Sequence, residues 1–158
     1  MSVFFEDFQV GETVVLGAYN FERDAIIAFA RLYDPQPFHL DEQAAAATIY
    51  GGLIASGWHT ASAFMRCFID WIERQRRQAA ARGEQLPPVG VAPGVNDLRW
   101  PAPVRPGDVV TYTTKVLSRR AIHRPGWGLV TRRSVGVNQE GVEVFGCTSV
   151  VMTGRRPA

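Results

Sequence analysis

The stretch YGGLIASGWHTASAFMRCFIDWIERQRRQ, residues 50–78, decides the fold. Gly51, Gly52 and Gly57 mark a loop that passes close to something. A helix then opens at Ser56, a residue suited to capping it. Trp58, Ala61, Met65, Phe68 and Ile72 recur at helical spacing, and Phe64 and Trp71 widen the stripe. The first three turns are apolar on most sides, which predicts a helix enclosed by a sheet rather than lying on one. Beyond Ile72 the pattern turns polar and basic, through RQRRQAAAR at 74–82, as if leaving the core. A helix of about 20 residues would run roughly 30 Å.

On the N-terminal side, TVVLGAYNFE (13–22) reads as a strand and RDAIIAFARLY (23–33) as a short helix. That helix must stop near Tyr33, because a residue preceding proline is pushed out of the α region, and Asp34 and Gln36 both precede one. A further short helix is expected over 42–48 with Asp41 as its cap. On the C-terminal side, AARGEQLPPVGVAPG (80–94) reads as a loop, followed by strands at 95–100, 108–122, 127–139 and 142–154. NQEG, ending at Gly141, is the turn of the last hairpin. Helices followed by a run of antiparallel strands give an α+β domain, one sheet around one long helix.

The 158 residues suit a single domain with a real core. With 46% hydrophobic and 20% charged residues, an ordinary soluble globular protein is expected. A net charge of +2 argues for neither nucleic acid nor membrane as partner. Cys67 and Cys147 lack CxxC spacing, so neither a disulfide scaffold nor a zinc site is expected, and a cytoplasmic setting is the default. The N-terminal residues show no signal-peptide pattern, and no apolar run is long enough to span a membrane.

Between the first two helices lies DPQPFHLDE, residues 34–42. Fully extended, the five steps from Asp34 to His39 would span about 17 Å, so an acid/base pair here requires a bend. A β-turn from Asp34 with Pro35 in second position would supply it.

In order and spacing these segments resemble the hydratase motif of MaoC-like, (R)-specific enoyl-CoA hydratases. That pattern runs Asp, any, Asn, Pro, any, His, any, Asp; here Asp34, Gln36, Pro37, His39 and Asp41 hold those places. The family's His-Gly-Met helix opening is matched by SGW at 56–58, and a family Ser by Ser62. WPAPVRPGDVV (100–110) resembles its Pro-Val-any-any-Gly-Asp strand entry. The resemblance implies a hot-dog fold and a homodimer or higher homo-oligomer of hot-dog subunits. It also implies reversible addition of water to a trans-2-enoyl thioester of CoA or a carrier protein. By position, Asp34 and His39 would share a water, and the Gly57 N–H would hold the thioester oxygen. Ser56, Trp58, Ser62 and Gln36 would lie along the substrate. Gln36 departs from the family Asn by one methylene. No metal or redox cofactor is implied, since water addition to an activated enoyl thioester needs neither.

The remaining polar residues have plainer expectations. His59 reads as a hydrogen-bonded core or interface residue and His123 as solvated. Arg105, Arg119, Arg120, Arg132 and Arg133 read as solvated strand faces. Two rival functions stay open. A thioesterase of the same fold would place its acid on the long helix, which offers no carboxylate before Asp70. A non-catalytic hot-dog partner subunit would not need both Asp34 and His39.

Overall fold

The computed structural model describes residues 4–88 and 90–157. After a turn of 3-10 helix at Phe5–Asp7, the order is β1 (Thr13–Asn20), α1 (Arg23–Tyr33), α2 (Pro37–Leu40), α3 (Glu42–Ala46), α4 (Gly57–Ala81), β2 (Gly94–Arg99), β3 (Val109–Ala121), β4 (Trp127–Val137) and β5 (Glu143–Gly154). The strands form one fully antiparallel sheet in the order β1-β3-β4-β5-β2. Helix α4 packs against it, giving the hot-dog arrangement. At 25 residues, α4 is about 37 Å long, longer than the periodicity predicted. It carries its basic tail to Ala81 before Gly83 turns the chain.

The local reasons follow the sequence closely. Helix α1 ends at Tyr33, before the Asp34-Pro35 step. Asp41 caps α3 by accepting from the Ala44 N–H at 2.7 Å. The β4–β5 hairpin closes through Gly141 at φ +82°, its N–H donating to the Asn138 carbonyl at 3.0 Å. The expected β-turn at Asp34–Pro37 does not form its usual bond, because Pro37 has no N–H to donate. Instead the Gln36 N–H reaches the Asp34 carbonyl at 2.7 Å. This is a three-residue turn centred on Pro35, whose ring favours the φ it needs. Pro37 then opens the short helix α2, which carries His39.

The core is offset from the predicted stripe. Helix α4 buries Ala63, Phe64, Cys67 and Trp71 toward the sheet, whereas Trp58 and Met65 are about half exposed, at 56% and 48%. Phe64 and Trp71 belong to the widened stripe, and Ala61, Phe68 and Ile72 pack against the core, so the periodicity found the buried face and the structure turns it away from Trp58 and Met65. The Phe64 ring stacks on Phe145 at 5.0 Å, and Tyr112 donates from its hydroxyl to the Thr60 carbonyl at 2.9 Å. Together these pin the helix to β3 and β5. Both cysteines are buried and free. Among the described residues no helix is long and apolar enough to cross a membrane.

A histidine and an arginine sit in this core. His59 stacks on Phe29 at 4.6 Å and is edged by Phe21 and Tyr19. Its Nε2 lies 3.4 Å from the Tyr19 hydroxyl, and its Nδ1 has no hydrogen-bond partner. Burial pushes its pKa down to about 4. Arg132 does not lie on a solvated face. It alternates inward on β4, is 4% exposed, and stands over the Phe8 ring at 4.4 Å with no carboxylate paired to it among the described residues. Burial lowers its pKa to about 10, so it remains charged at neutral pH. It sits in the core as a desolvated cation.

Two stability measurements test this core. His59 is neutral when folded and has an ordinary pKa when unfolded. The unfolded chain therefore gains the proton first as pH falls, and stability drops between about pH 6.5 and about pH 4. That loss amounts to about 3 kcal/mol. In His59→Phe, urea melts across this range should lose that component of the pH dependence. Arg132→Met keeps the bulk and removes the charge; it should raise the unfolding free energy by about 1 kcal/mol or more, read from the urea midpoint at pH 7.

Candidate active site

The site is assembled at the N-terminal end of α4 from three separate segments. The turn at Pro35 and helix α2 fold the chain back on itself. As a result His39 Nε2 stands 3.4 Å from Asp34 Oδ2. His39 is 4% exposed, and its Nδ1 lies 2.8 Å from the Ile54 carbonyl oxygen. A carbonyl only accepts, so Nδ1 carries a proton, and Nε2 is turned toward Asp34. Where Nε2 carries no proton, two acceptors face one another at 3.4 Å. A water bonding to both is the natural bridge for such a pair.

Asp34 is held from two sides. The Ser56 hydroxyl donates to Oδ2 at 2.6 Å, and the Gln36 amide donates to Oδ1 at 2.8 Å. The Ser56 bond is the largest cause keeping this carboxyl below its usual range. Partial burial opposes it, and Gln36 and the His39 imidazole add to it. The extra methylene of Gln36 therefore does not break the segment, for the longer side chain reaches back to the acid two residues earlier.

Beside the pair opens a cleft of about 620 Å³, lined by Asp34, Gln36, His39, Gly57, Trp58 and Trp100 among others. Gly57 is the first residue of α4, and its N–H donates to no group among the described residues. Helix start and cleft coincide, so an unpaired donor at the positive end of a long helix meets the space beside the acid/base pair. The lack of a side chain at Gly57 has a second cause. A Cβ there would come within 2.6 Å of the Trp100 indole, which packs over this turn and meets Trp58 edge-to-face at 5.3 Å.

The structure thus brings Asp34, His39, Gly57, Gln36 and Trp58 to one cleft. Ser56 and Ser62 are placed elsewhere. Ser56 is 1% exposed, lies behind Asp34, and accepts from the Trp58 N–H at 3.2 Å. Ser62 is exposed and donates back along its helix to the Trp58 carbonyl at 2.8 Å. Neither lines the cleft. Sequence reading missed the Ile54 carbonyl, a backbone group with no residue signature, and Trp100. It also missed Tyr50, which lines the cleft and tilts onto Phe38 at 5.5 Å. Arg105 donates to the Tyr50 carbonyl at 2.6 Å, fixing the glycine loop at the cleft edge.

Comparison with known proteins is consistent over most of the chain. A solved MaoC-like dehydratase from Rhodospirillum rubrum superposes with a TM-score of 0.82 at 38% identity, covering 99% of this chain and 100% of that one. The (R)-hydratase of A. caviae shares the fold, with a TM-score of 0.67 at 24% identity over 96% of this chain and 99% of that one. A 3-hydroxybutyryl-CoA dehydratase of Methylorubrum extorquens is 33% identical over 72% of this chain and 64% of that protein. YdeM of Bacillus subtilis is 27% identical over 89% of this chain and 91% of its own length. The model of the MaoC like domain matches residues 7–138, and the chain belongs to the MaoC-like domain family.

Proposed function

We propose that this protein is a hydratase/dehydratase that adds water reversibly to a trans-2-enoyl thioester, of CoA or of a carrier protein, giving the (R)-3-hydroxyacyl thioester. The observation that carries the reading is the facing of His39 Nε2 and Asp34 Oδ2 at 3.4 Å beside a cleft. A water bonded to both gives up one proton as its oxygen bonds to the β-carbon. A proton returns from the pair to the α-carbon, so one O–H bond and the C=C π bond break while a C–O and a C–H bond form. The N–H of Gly57, which starts α4 and lines the cleft, would hold the thioester oxygen as negative charge gathers there. The thioester carrier is part of the substrate, and the scheme calls on no metal or redox cofactor.

A thioesterase of this fold is less well supported. The first carboxylate on α4 is Asp70, which lies well beyond the cleft-lining turn and is already tied to Arg66. A second copy of this chain is the proposed partner. Trp58, Met65 and Ile69 form an exposed apolar face on α4, and β2 is an exposed edge of the sheet.

Asp34→Asn and His39→Gln should each lower kcat for hydration of a short trans-2-enoyl-CoA by about a hundredfold to ten-thousandfold, with thermal unfolding unchanged. A wild-type protein that hydrates no enoyl-CoA across a chain-length panel sinks the reading. For the partner, light scattering should give twice the chain mass, and Met65→Asp should shift it toward the monomer.

A further inference from the structure

We propose that Ser56 is a positioning residue of the site, orienting the Asp34 carboxylate and tying it to the first turn of α4. Its hydroxyl has one proton and lone pairs to spare. The Trp58 N–H occupies a lone pair at 3.2 Å, and the proton goes to Asp34 Oδ2 at 2.6 Å. At 1% exposed, Ser56 has no solvent to compete for that proton. The oxygen it holds is the same Oδ2 that faces His39 Nε2. A rotation of the carboxylate away from His39 must therefore first break a buried, charge-assisted bond. Gln36 supplies a second donor to the other oxygen, but from an exposed side chain. Ser56 is the stronger of the two holds.

The arrangement routes one helix end to both halves of the site. The second N–H of α4 acts through Ser56 on the acid, and the first belongs to Gly57, which lines the cleft. Where the resembled family carries His before this Gly, a hydroxyl one bond from Cβ does the bridging here. The titratable group facing Asp34 among the described residues is the His39 imidazole on α2. Ser56 on α4 and Gln36 beside the turn are neutral donors.

A helix cap alone and a positioning residue predict different results for Ser56→Gly. Glycine is tolerated at this cap position at a small loss, yet it removes the hydroxyl from Asp34. The titration of the Asp34 carboxyl, followed by carbon-detected NMR, should move to higher pH in Ser56→Gly and stay at its wild-type position in Ser56→Thr. This reading needs no turnover. The second reading rests on the hydratase proposal: in Ser56→Gly, kcat should fall about tenfold to a hundredfold with KM little changed. The acid limb of the pH profile should shift upward with the Asp34 titration. An Asp34 titration identical in wild type and Ser56→Gly overturns the positioning role, whatever the activity. A shifted titration in a protein without hydratase activity upholds the role of Ser56 and removes the proposed reaction instead. If Ser56→Gly does not fold, Ser56→Cys, with a weak S–H donor of similar size, carries the same two readings.

Discussion

The first backbone N–H groups of an α-helix have no partners inside it, and everything at this site depends on where that end of α4 is placed. The sheet encloses the middle of the helix through Ala63, Phe64, Cys67 and Trp71. The N-terminal turn is left at the mouth of a cleft. A helix pinned by Phe64 on Phe145 and by the Tyr112 hydroxyl on Thr60 cannot slide without loss of core packing. Its start is therefore a fixed donor in a fixed place. That rigidity is what an electrostatic site needs, since donors that must reorganise lose much of their effect.

The acid and the imidazole reach this point by a different device. Pro35 and Pro37 each remove a backbone donor and restrict the residue before them. Helix α1 cannot continue, and the chain doubles back in a three-residue turn. The imidazole is then oriented from the other side of the cleft by the Ile54 carbonyl, two residues before the Ser56 that holds Asp34. One short stretch, 54–57, therefore supplies the anchor for His39, the anchor for Asp34 and the free N–H of Gly57. Buried hydrogen bonds to each of the pair leave neither side chain free to leave the other.

Much of this was legible in the residues. The boundaries of α1 follow from Pro35, the cap of α3 from Asp41, and the last hairpin turn from Gly141. The approach of Asp34 to His39 was legible only as a requirement for a bend, and its form was misjudged because Pro37 cannot close the expected turn. The face of α4 was legible through Phe64 and Trp71, but its centre was not. A helix apolar on most sides carries no unique phase, and only the packing of Phe64 and Trp71 against the sheet selects one. Arg132 shows the opposite limit. Charge predicted exposure, while strict alternation along β4 placed it inside. The Ile54 carbonyl was invisible in principle, because every residue owns one.

Gly57 lines the cleft for a reason beyond the one the sequence suggested. The expected reason was room for a thioester. The structure adds another, because the Trp100 indole already occupies the side where a Cβ would project, at 2.6 Å. A methyl at position 57 would thus push on Trp100, and through its edge-to-face contact on Trp58, before it met any ligand. Both tryptophans line the cleft. The glycine lets an aromatic wall close on the helix start while the N–H stays open to the cleft. The width of the cleft beside that N–H is then set by an indole packed on bare backbone. The packing of the Trp100 indole and the width of the cleft beside the helix start are therefore coupled at a single residue.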